Sequence, residues 1–285
     1  MDYQSPTSAE EAAGLLSKGG AHVLAGGTDL LVKLRAGMLS PSLVVDLKSV
    51  PGLRGIEHDA KGWRIGAATT CAEVGEHAQL GKAWPGVVEA LQLIGSTQIQ
   101  GRATIGGNLC NASPAADSVP ALIAAGAICE IAGVGGQREV AAEQVITGPG
   151  RNVLEAGEFI LGFRLPNVPE RASDAYLRLI PRTEMDIAVV GAGVSLALDA
   201  QGICTHARVS LGAVAATPLL VTEAADALIG TRVDDAALDA LVTAARAACK
   251  PIDDKRGTVA YRIKVAGVLA RRAATIAHER ATKNG

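Results

Sequence analysis

The chain reads as an α+β protein in three successive parts, and three observations carry that reading. Residues 1–55 alternate helix and strand signals, residues 56–170 mix the two, and residues 171–285 place their strands before their helices. A glycine pair follows a strand in the first part, and a second pair opens a polar stretch in the second. The sequence Pro166-Asn-Val-Pro-Glu-Arg-Ala-Ser has linker composition and separates the second part from the third.

In the first part Ser8-Ala-Glu-Glu11 has the form of a capping box, with a hydroxyl to close the first turn and a glutamate to reach back. The helix it opens runs through Leu15 and Leu16 and ends at Gly19-Gly20. A strand at 22–25, a glycine loop, a helix to about residue 36 and a strand at 43–46 follow. Strands alternating with helices imply a small parallel sheet. The loop after the 22–25 strand then lies at a carboxyl end of that sheet, where open α/β sheets bind their ligands. No Gly-x-Gly-x-x-Gly dinucleotide fingerprint is present, and Gly191-Ala-Gly193 falls inside a strand.

The second part predicts strands at 63–67, 127–132 and 159–165 and helices at 71–80, 85–94 and 117–125, with Gly133-Val-Gly-Gly136 as a hairpin turn. The third predicts strands at 175–180, 186–198 and 207–214, then helices at 221–229, 235–249 and 258–280. In the last helix Val259, Ile263, Ala266, Ala270 and Ala273 share one apolar face. Nine Lys/Arg against three Asp/Glu follow residue 249, which reads either as a solvated helix face or as a docking surface for an acidic partner.

Composition narrows the function classes. Hydrophobic residues at 48 % and charged residues at 20 % describe a globular protein whose core, with aromatics at 2 %, rests on Leu, Val, Ile and Ala. A net charge of -2 makes no general case for nucleic-acid binding. No apolar run reaches the roughly 18–20 residues that span a bilayer, and the first residues have no signal-peptide pattern, so a cytoplasmic location is expected. Cys71, Cys110, Cys129, Cys204 and Cys249 are dispersed without Cys-x-x-Cys, which argues against a zinc or iron–sulfur site and fits buried thiols in a reducing compartment. The five histidines are scattered and read as structural or exposed. Nucleophile-elbow, His-Glu-x-x-His and Walker motifs are absent.

Two stretches carry the chemistry. Thr104-Ile-Gly-Gly-Asn-Leu-Cys-Asn-Ala-Ser-Pro-Ala-Ala-Asp117 opens on adjacent glycines, continues through Asn111, Ser113 and Asp117, and runs into a buried helix. Glycines let a backbone approach a ligand closely and turn successive N–H groups on an anion, which suits a phosphate-bearing cofactor. A polar loop leading into a core helix is the other reading of the same residues. The second stretch, Val23-Leu-Ala-Gly-Gly-Thr-Asp29-Leu30, passes from strand through two glycines into a helix.

Together these stretches resemble the flavin-binding, or medium, subunit of the molybdenum hydroxylases, a family that includes xanthine dehydrogenase, aerobic carbon monoxide dehydrogenase and bacterial N-heterocycle hydroxylases. The resemblance covers nearly the whole chain, and Thr-Ile-Gly-Gly-Asn followed by Ala-Ser-Pro-x-x-Asp is its most specific part. It implies a two-subdomain FAD-binding fold of the vanillyl-alcohol-oxidase (PCMH) type, followed by a C-terminal antiparallel sheet with helices of the CO dehydrogenase flavoprotein type. The cysteine-rich insertion of the 4-hydroxybenzoyl-CoA reductase branch is missing.

The resemblance also assigns roles. Val23, Leu24, Ala25, Gly26, Gly27, Thr28, Asp29 and Leu30 would wrap the pyrophosphate and ribityl chain of FAD. Thr104, Gly106, Gly107 and Asn108 would complete the pyrophosphate cradle, with Ser113 beside them. Asp117 would accept hydrogen bonds from the adenosine ribose, unless it caps the following helix. Ile160 would pack on the adenine side. Arg178 would stand near the flavin ring, where its fixed charge suits an anionic reduced flavin. Ile187, in the pattern Arg182-Thr-Glu-Met-Asp-Ile-Ala, would lie against the isoalloxazine. The implied partners are a small subunit with 2Fe-2S clusters and a large molybdopterin subunit, in a dimer of heterotrimers. The large subunit would hydroxylate an aldehyde, purine or N-heterocycle. The Ile187 side chain, in place of a stacked tyrosine, favours NAD as electron acceptor. A stand-alone FAD oxidase or dehydrogenase is the alternative, and a module without flavin is a third.

Overall fold

The computed structural model describes residues 1–284. Its first segment is β1 (Asp2–Gln4), α1 (Ala9–Leu16), β2 (Ala21–Leu24), α2 (Leu30–Arg35) and β3 (Leu43–Asp46). The three strands form a parallel sheet in the order β1-β3-β2. Ser8 caps α1 by accepting from Glu11 N–H at 3.1 Å, but the returning arm of the box goes to Thr7 N–H at 2.9 Å. Gly19 and Gly20 end the helix in the left-handed region, at φ 73° and 68°, which glycine enters without steric cost.

The second segment begins with β4 (Ile56–Asp59) and β5 (Gly62–Gly66), then runs through α3 (Cys71–Glu76), α4 (Ala78–Ala83), α5 (Pro85–Gln92), α6 (Thr97–Gln100), α7 (Ile105–Cys110) and α8 (Ser118–Ala124). It closes with β6 (Ile128–Gly133), β7 (Gly136–Ala141), α9 (Ala142–Val145), β8 (Ile146–Gly148), β9 (Arg151–Asn152) and β10 (Phe159–Leu165). Its main sheet has the order β4-β5-β10-β6-β7, and β6 and β7 pair as the hairpin expected at Gly133 and Gly136. The helix expected at 71–80 is two helices. His77 divides them because its Nδ1 accepts from Leu80 N–H at 3.1 Å and so caps α4.

The third segment holds β11 (Ala172–Leu179), β12 (Val190–Leu198), β13 (Cys204–Gly212) and β14 (Leu219–Leu220), in that order within one antiparallel sheet. The helices α10 (Thr222–Asp226), α11 (Asp235–Ala248) and α12 (Val259–Lys283) follow. Small residues let α12 lie close on the sheet: Ala266, Ala270, Ala273, Ala274, Ala277 and Ala281 are all buried. Part of the basic end of the chain is consumed within the fold. Arg262 is buried and bonds Val189 O at 2.6 Å and Asp254 Oδ1 at 2.7 Å, Arg271 pairs with Asp235 and Asp239, and Arg280 pairs with Glu89.

One hydrophobic core joins the first two segments, from Ala12 to Tyr176, and a second core lies between the third sheet and its helices. A buried carboxylate ties the two together. Asp174 of β11 accepts from Gly86 N–H at 2.9 Å and Val87 N–H at 3.1 Å, satisfying the free end of α5. Burial pushes its carboxyl up to about 7, against the opposing pull of those N–H groups. No helix of the described residues is long and apolar enough to cross a membrane.

Candidate functional site

The chain leaves β2 at a carboxyl end of the parallel sheet and turns through residues 25–29 into α2. Gly27 makes that turn at φ 80°, where a side chain is strained. Gly26 is required for another reason. A Cβ there would stand 1.9 Å from the carbonyl oxygen of Arg102, so the loop is pressed against the backbone that enters the second glycine stretch. The N–H groups of Gly26, Gly27, Thr28, Asp29 and Leu30 find no acceptor among the described residues. Unpaired N–H groups at the foot of a cleft are donors set out for a ligand.

The second stretch differs from its expected form. It is not a left-handed nest but the first turns of α7, and neither Gly106 nor Gly107 has positive φ. Thr104 caps the helix, its Oγ1 accepting from Gly107 N–H at 3.1 Å. Gly106 N–H bonds Ala67 O at 2.9 Å and Asn108 N–H bonds Thr104 O at 3.0 Å, so these donors are already engaged. Gly106 is glycine because a Cβ would meet Ala67 O at 2.7 Å. Gly107 has only Thr104 Oγ1 nearby, 2.9 Å from a would-be Cβ, and otherwise opens on the cleft. Asn108 Oδ1 accepts from the Ser118 hydroxyl at 2.7 Å and from its N–H at 3.2 Å, joining α7 to α8.

The two stretches share one cleft of about 280 Å³. Val23, Ala25, Gly26, Gly27, Thr28, Asp29 and Leu30 line one side, and Thr104, Gly106, Gly107 and Asn108 line the other, with Ile160 of β10. Leu24, Ser113, Asp117, Arg178 and Ile187 lie outside that lining. Ser113 Oγ accepts from Ala115 N–H at 3.2 Å and shapes the local turn. His22 and Lys33 belong to the lining and were not anticipated, nor were the apolar Leu47, Leu53 and Phe159, while Asn111, named in the polar stretch but given no role, also lines it. Helical spacing points to Lys33, which follows Asp29 by four residues. The signal for Asn111 is the same, four residues beyond Gly107.

Asp117 does not take the alternative role of helix cap. It makes no side-chain bond to cap α8. Its carboxylate is committed within the fold, Oδ1 accepting from the Tyr176 hydroxyl at 3.1 Å and Oδ2 from Arg178 Nη1 at 2.7 Å. Both side chains of the ion pair are nearly inaccessible. Burial pushes the Asp117 carboxyl up to about 6, with the Arg178 guanidinium opposing, and burial also raises the Tyr176 phenol well above its ordinary value. Arg178 therefore neutralises a buried carboxylate, and it lies outside the cleft lining. Ile187 is 51 % exposed on the loop before β12, where Asp186 takes its N–H at 2.8 Å and is itself held by Arg182 at 3.1 Å.

The residues present fit FAD. The cleft is walled by Leu47, Leu53, Ala67, Phe159 and Ile160, and floored by donors without acceptors. His22 lines it with a buried Nδ1 that has no partner within the chain, as a ligand-binding group does before its ligand arrives. Among the described residues no group of three or more His, Cys, Asp or Glu is placed to hold a metal ion. The arrangement suits binding and orienting a cofactor that carries its own redox chemistry.

The fold and the cleft define an FAD-binding oxidoreductase subunit, and the similarities to known proteins agree. Residues 1–168 match the FAD binding domain in molybdopterin dehydrogenase, and residues 175–277 match the CO dehydrogenase flavoprotein C-terminal domain. The chain belongs to the family of FAD-binding medium subunits of the molybdenum hydroxylases. It is 37 % identical to the carbon monoxide dehydrogenase medium chain of Afipia carboxidovorans, over 99 % of this chain and 98 % of that one. Identity to a putative xanthine dehydrogenase FAD-binding subunit of Escherichia coli is 35 %, over 70 % of this chain and 68 % of that protein. Its structure superposes on a chain of reconstituted CO dehydrogenase from Oligotropha carboxidovorans with a TM-score of 0.94, 36 % identity and 98 % of each chain covered. Quinoline 2-oxidoreductase from Pseudomonas putida gives a TM-score of 0.90 at 28 % identity, covering 99 % of this chain and 98 % of that one.

Proposed function

We propose that this chain is the electron-transfer subunit of a cytoplasmic, heterotrimeric molybdenum hydroxylase, assembled as a dimer of heterotrimers. A small subunit would deliver electrons from its 2Fe-2S clusters, and a large molybdopterin subunit would hydroxylate an aldehyde, purine or N-heterocycle. FAD, when bound, supplies the relay between those clusters and a soluble acceptor. Within the chain, three units divided near residues 55 and 170 share the work of holding it. The observation that carries this reading is the meeting of both glycine stretches in one cleft, with the N–H groups of Gly26 to Leu30 unclaimed.

In that arrangement the first loop donates to the diphosphate, Gly107 leaves room for it, and Ile160 with Phe159 walls the adenine side. Gly107→Val tests the arrangement most directly. Its side chain projects into the cleft, where only Thr104 Oγ1 stands close. The variant is expected to fold but to purify without the yellow colour and flavin absorbance of the parent. A Gly107→Val protein with a full complement of FAD would sink the assignment. Substrate hydroxylation by this chain alone would overturn the dependence on partners.

NAD is the proposed acceptor. A nicotinamide must lie flat on the flavin for hydride transfer, and a non-stacking side chain at Ile187 yields that face more cheaply than a tyrosine, whose stacking adds about 0.5–1.5 kcal/mol. The exposure of Ile187 on a short loop is compatible with such movement. Stopped-flow oxidation of the reduced complex checks this: NAD should reoxidise the flavin much faster than buffer does. Rapid reoxidation by a quinone or oxygen, with NAD no better than buffer, refutes it.

A further inference from the structure

Lys33 is the one cation in the cleft lining that no ion pair engages among the described residues. It stands one turn beyond Asp29 on α2, its N–H bonded to Asp29 O at 3.0 Å, so it rises beside the loop with the unclaimed N–H groups. Its Nζ donates to Asn111 Oδ1 at 2.7 Å, and Asn111 Nδ2 donates to Asp29 Oδ1 at 3.3 Å. Asn111 closes the C-terminal end of α7, so the contact bridges the two walls of the cleft. The other charged lining residues are acidic, and Glu158 is already held by Arg138 at 2.7 Å.

An ammonium whose partner is a neutral amide gains by exchanging it for an anion, because the anion adds charge–charge attraction to the hydrogen bond and that attraction is less screened beside a protein wall than in bulk water. A diphosphate entering a half-closed cleft also needs opposite charge to offset its lost hydration.

We propose that Lys33 is the cationic ligand of the dinucleotide's diphosphate, and that Asn111 holds its ammonium in place until the dinucleotide enters. This inference rests on the FAD reading and adds to it the side chain that selects a diphosphate-bearing flavin over riboflavin. Binding exchanges the Lys33–Asn111 hydrogen bond for a Lys33–phosphate contact, and no covalent bond is made or broken.

The test uses the full chain, freed of flavin and titrated with FAD, ADP and riboflavin at several salt concentrations. Lys33→Met is expected to weaken FAD and ADP by about ten- to a hundredfold, the loss of one hydrogen bond between charged groups. It should also flatten the salt dependence of both, while riboflavin affinity stays at the parent value. Lys33→Arg keeps the charge and should keep most of the affinity. The proposal is overturned if Lys33→Met binds FAD and ADP with the parent's affinity and salt dependence. It is equally overturned if riboflavin is weakened as much as FAD, since the lysine would then act on the shape of the cleft. A folded parent that binds neither FAD nor ADP would instead bring down the flavin reading, and this proposal with it.

Discussion

Gly26→Ala is expected to abolish FAD retention and to destabilise the chain by about 3 kcal/mol, the upper part of the range for an overpacked site. The new methyl carbon would lie 1.9 Å from Arg102 O, 2.8 Å from Arg102 C and 3.2 Å from Ala103 Cα. All three are backbone atoms, so no rotamer change can relieve the clash. The two glycine stretches must move apart, and the cleft between them loses its shape. Gly27→Ala is the control. It costs strain at φ 80°, but its nearest neighbours are the flexible ends of Leu24 and Leu31, at 3.1 and 3.2 Å. Thermal unfolding and the ratio of flavin to protein absorbance should separate the two variants clearly. A Gly26→Ala protein as stable and as yellow as the parent would show that the Arg102 contact does not set the cleft.

What the sequence made legible is what local pattern encodes. Short, nearly continuous apolar runs placed β10 and β12, and the alanine stripe of α12 was visible because small apolar residues recur at helical spacing. The cleft was located for a related reason, since a strand, a glycine pair and a helix follow one another within a few residues. The failures are contacts made at a distance. Nothing in Asp2–Gln4 marks β1, which exists because Asp2, Tyr3 and Gln4 pair with Leu43, Val44 and Val45. Two adjacent glycines argue against a helix at α7. The helix forms there because Thr104 caps it and Ala67 leaves no room for a Cβ at Gly106. The partners of Asp117 lie 59 and 61 residues away, and those of Lys33 lie 78. No local signal announces such pairs.

The Asp117–Arg178 pair supplies the second large effect. Asp117→Ala leaves the Arg178 guanidinium buried without its counter-charge, beside an Nε that already has no partner, and deprives the Tyr176 hydroxyl of its acceptor. Breaking a buried pair from one side costs about 3–5 kcal/mol, and here the cost should shrink as pH rises from 5 to 8. The parent's Asp117, raised from 3.8 to about 6, gives up its proton-linked stability over that interval, while the variant has no such group and arginine cannot shed its proton. Arg178→Met behaves differently, because the carboxyl left behind can neutralise itself. With the guanidinium present its folded-state value is already about 6, against an ordinary 3.8, and removing the lowering influence moves it higher. Between those values the folded variant holds a proton that the unfolded chain has released, so its stability falls as pH rises through that interval. Arg178→Met should therefore melt close to the parent at pH 5 and well below it at pH 8. The double variant should cost less than the two single costs added together, because neither charge is then stranded. All three measurements are made on flavin-free protein, which separates this role from a ribose contact. Had Asp117 served only the ribose, Asp117→Ala without flavin would melt with the parent at every pH, and that result would refute the buried-pair account.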